Sequence, residues 1–146
     1  MSIWKGEVTV EQLNRFQENT MAQHVGIVLT ELGEDFLRAI MPVNERSCTP
    51  FGALHGGASV VLAESLGSVA ANFVVDRRRQ SCVGQDINAN HVRAVPVGGI
   101  VTGTARPLHL GKRSQVWGID IVDASGALIC VSRLTMAVLD RPRDLA

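Results

Sequence analysis

The sequence predicts an α+β fold in which a curved antiparallel sheet wraps round one long central helix. The stretch from His55 to Phe73 is apolar or small almost all the way round, as expected of a helix enclosed by protein. The chain after it alternates like strands that are separated by glycine-containing turns. A hairpin is predicted before the helix, so that strands from both sides in sequence can form the layer that covers it.

The segment before the central helix is predicted to hold one short helix and one hairpin. Thr9 can cap a helix that runs from Val10 to about Asn19. Strands over Gly26 to Leu32 and Phe36 to Pro42 are joined by a Gly-Glu-Asp turn. An irregular loop, Asn44 to Leu54, then leads the chain into the central helix.

The segment after the central helix is predicted to form an antiparallel meander of strands. The predicted strands are Ser81 to Arg93, Ile100 to Leu108, Ser114 to Val122 and Ala127 to Leu139. Polar and glycine-containing turns separate them. The charged tail from Asp140 to Ala146 is expected to be frayed.

Length, charge and cysteine content restrict the classes of function. The 146 residues fit one domain, residues 1–146, and the formal net charge of zero gives no electrostatic argument for nucleic acid or an anionic membrane. No apolar run resembles a signal peptide or a membrane span. The three cysteines form no Cys-x-x-Cys motif, which argues against a disulfide framework or a metal site. We therefore expect a cytoplasmic protein with no metal, nucleic-acid or membrane partner.

Glu64 is the candidate catalytic residue on the central helix. It is the only charged residue between His55 and Asp76, and a lone carboxylate is costly to bury on an apolar helix. The residues three and four positions away have short side chains or none, which keeps its face open: Val60, Val61, Gly67 and Ser68. The residues alone leave a structural alternative, in which Glu64 pairs with Arg93 or Arg106.

Three sequence blocks resemble the hotdog-fold acyl-CoA thioesterases that use a glutamate on the central helix. The first block is Pro50-Phe51-Gly52 followed by His55-Gly56-Gly57-Ala58-Ser59, with Glu64 nine positions after His55. The other two are Asn88 to Arg93 and Pro107 to Gly111. This group includes phenylacetyl-CoA and 4-hydroxybenzoyl-CoA thioesterases, and the blocks are also similar to thioesterases of menaquinone and enterobactin synthesis.

The resemblance implies hydrolysis of an acyl-CoA or acyl-carrier-protein thioester, with an aromatic or medium acyl group, to free acid and thiol. Coenzyme A would be part of the substrate, so no cofactor is expected. In this interpretation the Gly56 amide polarises the thioester carbonyl, His55 positions the thioester, and Ser68 holds the attacking water. Glu64 acts as general base or as nucleophile, and the sequence does not choose between them.

Chemistry alone also favours the start of the helix as a binding site for a negatively charged oxygen. The N–H groups of Gly56 and Gly57 lie at a helix N-terminus, where orphan donors and the helix dipole suit an oxyanion. His55 could instead only shape the turn into the helix, and His91 could only satisfy polarity at a strand edge.

The resemblance also implies a set of substrate-binding residues. They are Thr49, Gly84, His91, Val92, Arg93, Ala94, Leu108, His109, Leu110, Gly111, Lys112 and Arg113. The last five form a glycine turn with two cations, which suits a phosphate but equally suits a plain hairpin turn. At Thr49 the family carries a glutamine, and a threonine hydroxyl is shorter and could reach the substrate only through a water molecule.

The spacing of the catalytic candidates predicts a site shared between subunits. Gly56 and Glu64 are eight residues apart, which is about 12 Å along a helix axis. Two helices related by a two-fold axis could place both groups on one carbonyl. The resemblance likewise implies a homodimer as the minimal active unit and further assembly into a tetramer. A non-catalytic acyl-CoA-binding hotdog domain is the alternative function, although it has no need of a buried acid.

Overall fold

The computed structural model describes residues 1–142, which form one curved six-stranded antiparallel sheet around a long helix. The predicted α+β architecture is confirmed. The helices are α1 (Val10–Phe16), α2 (Met21–His24) and α3 (Gly56–Phe73). The strands are β1 (Val28–Leu32), β2 (Leu37–Pro42), β3 (Gln80–His91), β4 (Ile100–Leu110), β5 (Ser114–Val122) and β6 (Leu128–Asp140).

The central helix α3 forms where the apolar pattern places it. His55 is its N-cap, and the backbone turns out of the helix at Val74. Its long side chains pack into the concave face of the sheet, with Leu62 and Leu66 fully buried. Facing them across the core are Trp117, Ile119 and Leu134. None of the helices in the described residues is long and apolar enough to cross a membrane.

The order of the strands differs from the predicted meander. The sheet runs β1-β2-β4-β5-β6-β3, so only β4, β5 and β6 follow each other as a meander. Strand β3 pairs with β6 instead of β4. The connection after β3 crosses the end of the core, where Ala53 and Pro96 form an isolated bridge, and it is too long for a tight hairpin. As a result β3 lies at one edge of the sheet, with its second side unpaired within residues 1–142.

The ends of several elements also differ from the predictions. Helix α1 ends at Phe16 rather than near Asn19, because Asn19 adopts a left-handed conformation with φ of 60°. The short helix α2 follows, which the sequence analysis did not predict. Strand β6 reaches Asp140, which pairs with Gln80, so this part of the predicted frayed tail is ordered. Residues 143–146 of that tail lie outside the described residues.

Asn72, near the end of α3, fastens the helix to the edge strand. Its side-chain amide donates to the carbonyl oxygens of Ser68, at 2.9 Å, and Cys82, at 3.0 Å. Its carbonyl oxygen accepts the backbone N–H of Cys82 at 2.8 Å. Asn72 therefore pairs both backbone groups of a buried β3 residue that lies opposite the helix.

Replacing this asparagine should destabilise the protein. Asn72→Ala leaves the N–H and C=O of buried Cys82 without partners, and we expect the free energy of unfolding to fall by roughly 2–4 kcal/mol. Urea denaturation measures this change. Asn88→Ala is the matched control, because Asn88 is exposed on the outer face of the same strand, and its effect should stay within about 0.5 kcal/mol. Equal effects of the two substitutions would contradict the assigned role of Asn72.

Candidate active site

The first turn of α3 has one backbone amide that the protein does not use. His55 Nδ1 accepts the N–H of Gly57 at 2.8 Å. The backbone carbonyl of His55 accepts the N–H groups of Ala58 and Ser59. Within residues 1–142 the N–H of Gly56 has no acceptor. The expectation that both glycine amides are open to an oxyanion is therefore corrected, because the amide of Gly57 is bonded to the histidine cap.

His91 packs directly on Gly56, although 35 positions separate them in the sequence. A Cβ atom placed on Gly56 would lie 3.0 Å from His91 Nε2, so the glycine permits the close approach of the ring. The cleft at this point is also lined by Val92, Arg93 and Ala94. The structure thus gathers four of the predicted substrate-binding residues around the free Gly56 amide.

Glu64 lies in the middle of α3 and has no partner in the described part of the chain. Neither an ion pair nor a side-chain hydrogen bond involves it. Arg106, one of the cations that could have neutralised it, instead pairs with Asp35 at 3.1 Å. The structural alternative, a carboxylate held by arginine, therefore does not describe this residue.

The carboxylate of Glu64 points towards Gly84 on the edge strand. A Cβ atom on Gly84 would lie only 2.7 Å from Glu64 Oε1, so a larger residue would meet the carboxylate. Gly84 was expected to contact substrate, and the structure gives it a direct effect on the position of Glu64. The register of β3 on β6 shifts next to this residue, between Gly84 and Asp86, which marks a β-bulge.

A cleft of about 280 Å³ opens beside Glu64 on the side of α1 and α2. Ser68 lies one helical turn after Glu64 and shares this cleft. Its hydroxyl has only a long contact to Met136 Sδ, at 3.9 Å. The apolar part of the lining comes from Phe16, Met21, Ala22 and Val69.

Sequence reasoning did not identify four polar residues of this cleft: Gln17, Thr20, Ser65 and Asn72. Asn72 follows Glu64 and Ser68 at the same four-residue interval, so helical spacing could have found it. Gln17 follows the end of α1, and no local motif marks it. Cys82 lies close to Asn72, but burial raises the pKa of its thiol to about 11, so that it stays protonated and is a poor nucleophile.

The glycine turn after β4 lies near the other end of α3. Leu110, Gly111, Lys112 and Arg113 line a cleft together with residues just beyond the helix. The Gly111 N–H donates to the carbonyl of Ser114 at 2.9 Å, so this amide is not open to a phosphate, contrary to expectation. Lys112 and Arg113 are exposed and form no ion pair within residues 1–142.

The remaining candidates lie apart from Glu64. Leu108 and His109 are exposed on β4, and Leu108 lines a groove on the outer face of the sheet. Thr49 Oγ1 accepts the N–H of Phe51 at 3.2 Å, which fixes the turn before α3. This contact gives the threonine a structural role within the chain.

One chain therefore holds the predicted site residues in three separate places. The Gly56 amide and His91 lie at the start of α3, Glu64 and Ser68 at its middle, and the cationic turn beyond its end. The first two places are about 12 Å apart along the helix axis. A thioester carbon must approach its nucleophile to about 3–3.5 Å, so one chain does not bring both groups to one carbonyl.

Comparisons with known proteins agree with this fold. The family model of the thioesterase superfamily matches residues 51–130. The 1,4-dihydroxy-2-naphthoyl-CoA hydrolase of Escherichia coli K12 is 52% identical, over 94% of this chain and 99% of that protein. The proofreading thioesterase EntH of Cronobacter sakazakii is 51% identical, over 94% and 98%.

A solved structure shares the whole architecture. A mutant thioesterase from Pseudomonas aeruginosa superimposes with a TM-score of 0.93 at 46% identity, covering 96% of this chain and all of that one. The curved sheet around one helix is thus the hotdog fold of thioesterases. The chain belongs to the thioesterase superfamily, and it is a thioester hydrolase.

Proposed function

We propose that this protein hydrolyses acyl-CoA thioesters at sites that combine Glu64 of one subunit with Gly56 of another. The observation that carries the proposal is the Glu64 carboxylate, which has no partner within residues 1–142 and lies at a cleft lined by both apolar and uncharged polar side chains. A carboxylate in such a place is free to accept a proton or to attack a carbonyl. A non-catalytic binding domain would have no use for it.

The reaction needs a new bond from oxygen to the thioester carbon and the loss of the bond from carbon to sulfur. With Glu64 as base, the carboxylate removes a proton from water while the water oxygen attacks, and the proton then passes to the leaving thiolate. With Glu64 as nucleophile, its oxygen attacks first, and water cleaves the resulting anhydride. Both routes release free acid and thiol, and in either we assign Ser68 to hold the water.

The free N–H of Gly56 supports the second half of the proposal. In the transition state the carbonyl oxygen becomes negative, and a preorganised amide at a helix N-terminus stabilises that charge. His55 accepts the N–H groups of the three residues that follow Gly56. The N–H of Gly56 is therefore the donor of this turn that has no acceptor in the described residues. His91 and Arg93 border the same cleft, where they can hold the thioester in place.

The edge strand β3 supports a dimer in which both groups meet. Within residues 1–142 no strand pairs with its outer side, where Cys82 is bonded to Asn72, and the rest of that side is a ready surface for a second strand. Antiparallel pairing of two β3 strands about a two-fold axis would set the two α3 helices side by side and in opposite directions. The start of one helix then approaches the middle of the other, where Glu64 lies. Two such dimers could assemble further into the expected tetramer.

The proposed substrate is coenzyme A esterified to an aromatic acyl group. The exposed Lys112 and Arg113 offer two uncommitted cations to the phosphates of the nucleotide. The apolar side chains of the cleft beside Glu64 suit a ring or a medium chain. The name of the Escherichia coli relative also specifies an aromatic acyl-CoA. We expect no cofactor, because coenzyme A enters as part of the substrate.

The first experiment is the release of free thiol from a panel of acyl-CoAs, followed with Ellman's reagent. The panel includes aromatic, medium aliphatic and carrier-protein-bound acyl groups. We expect the fastest release from aromatic acyl-CoAs. Tight binding without release would favour the binding domain, and faster release from the carrier protein would overturn the assignment of coenzyme A.

Removing the carboxylate should stop turnover with little effect on binding. Glu64→Gln keeps the size of the side chain but can neither take a proton from water nor attack the carbonyl. We expect kcat to fall by about 10²–10⁴, while the affinity for a non-hydrolysable substrate analogue changes little. Glu7→Gln, at an exposed position, serves as the control. A kcat near that of the wild type would refute the role of Glu64.

Moving the carboxylate should have a similar but smaller effect. Gly84→Ala brings a methyl group to 2.7 Å from Glu64 Oε1, so the end of the glutamate side chain must shift. Because that end is flexible, we expect an unchanged melting temperature but a kcat at least about tenfold lower, since small misplacements are costly in catalysis.

The matched control for Gly84→Ala is Gly118→Ala on the outer face of β5. There a methyl group would meet Leu108 at an ordinary distance of 3.4 Å. This variant should retain the kcat of the wild type. Equal activity of the two variants would show that Gly84 does not control the position of Glu64.

A further inference from the structure

We propose that the side-chain amide of Gln17 selects the acyl group by hydrogen bonding to an oxygen atom on it. This inference rests on the proposed function, since it makes the cleft beside Glu64 the acyl-binding site. It goes beyond that function by assigning selectivity to one residue outside the family sequence blocks. The acyl group it favours carries a hydroxyl or carbonyl oxygen away from the thioester.

Gln17 is buried yet incompletely paired. Only 8% of its surface is exposed, and within residues 1–142 its Nε2 atom has no acceptor. Buried donors are rarely left without a partner in native proteins, because the loss of hydration is not repaid. The Nε2 atom itself has almost no accessible surface, so an acyl oxygen meets this amide when the side chain turns towards the cleft that Gln17 lines.

The backbone around Gln17 is fixed, whereas no hydrogen bond in the described residues holds its side-chain amide, which can turn towards an incoming oxygen. Its N–H donates to the carbonyl of Asn14 at 3.0 Å, closing the end of α1. Its carbonyl accepts the hydroxyl of Thr20 at 2.6 Å. The side chain is thus fixed at its root and lines the cleft that contains Glu64 and Ser68.

Two of the other polar side chains of the cleft are already committed. Asn72 uses its amide on Ser68 and Cys82, and Thr20 donates to the Gln17 carbonyl. Ser68 lies beside Glu64, where it serves the attacking water. Ser65 also lines the cleft without a hydrogen bond in the described residues, but it is less buried than Gln17. The buried Gln17 amide is the group whose hydrogen bonding an acyl oxygen would complete, against the apolar surfaces of Phe16 and Met21.

Such an arrangement selects strongly between acyl groups that differ by one oxygen atom. A site that hydrogen-bonds a substrate hydroxyl discriminates against the analogue without it, because the buried amide then stays unpaired. Apolar contacts with the ring or chain of the acyl group discriminate less between substrates, because such contacts tolerate small changes in the acyl group. The wild type should therefore prefer the oxygenated member of a matched substrate pair.

The test compares kcat/KM for hydroxybenzoyl-CoA isomers with kcat/KM for benzoyl-CoA, in the wild type and two variants. Gln17→Leu and Gln17→Met remove the amide while keeping similar volume. We expect the wild type to favour one hydroxy isomer by at least about tenfold, and both variants to lose that preference while keeping activity on benzoyl-CoA. The melting temperature should not fall, because each change removes an unpaired buried donor.

Three outcomes would overturn the inference. The first is a preference that survives in both variants, and the second is an equal loss on both substrates together with a lower melting temperature, as for a structural residue. The third is a wild type that releases thiol from all the aromatic substrates without preference. If the wild type releases no thiol from any acyl-CoA, the proposed function itself has failed.

Discussion

The enclosure of α3 by the sheet is the constraint on which the rest of the structure depends. The concave face of the sheet covers the long side chains of the helix, and Leu62 and Leu66 are fully buried there. A polar group on such a helix needs a partner or an opening. His55 pairs the second amide of the helix, Asn72 pairs the edge strand, and Glu64 and Ser68 lie at a cleft. Catalytic groups on α3 can therefore lie only at the few places where the sheet leaves the helix uncovered.

The same enclosure separates the groups that must act together. The Gly56 amide is available because it begins the helix, and Glu64 is available because small neighbours leave its face open. A straight helix fixes these positions at about 12 Å from each other along its axis. Bending one chain cannot bring them together, whereas a second copy in the opposite direction can. The long unpaired edge of β3 provides the surface for that copy.

The sequence predicted those features that depend on local pattern or on a motif. The range of α3, the cap at Thr9 and the whole of β5 follow from apolar periodicity, capping preference and turn residues. The place of β3 at the sheet edge could not be predicted, because strand order depends on long-range packing. The bond between Gly57 and His55 depends on a side-chain rotamer. Gln17 lines the cleft beside α3 through the packing of the end of α1, which no local motif in the sequence marks.

The most direct measurement of a shared site is the activity of mixed inactive subunits. Glu64→Ala and His55→Ala each damage a different half of the site, so either homodimer should be nearly inactive. After subunit exchange, each mixed dimer carries one intact site and one site with both defects. Random pairing then predicts recovery to roughly a quarter of wild-type activity. Confirmed exchange without recovery would mean that a single chain builds the site, contrary to the separation seen along α3.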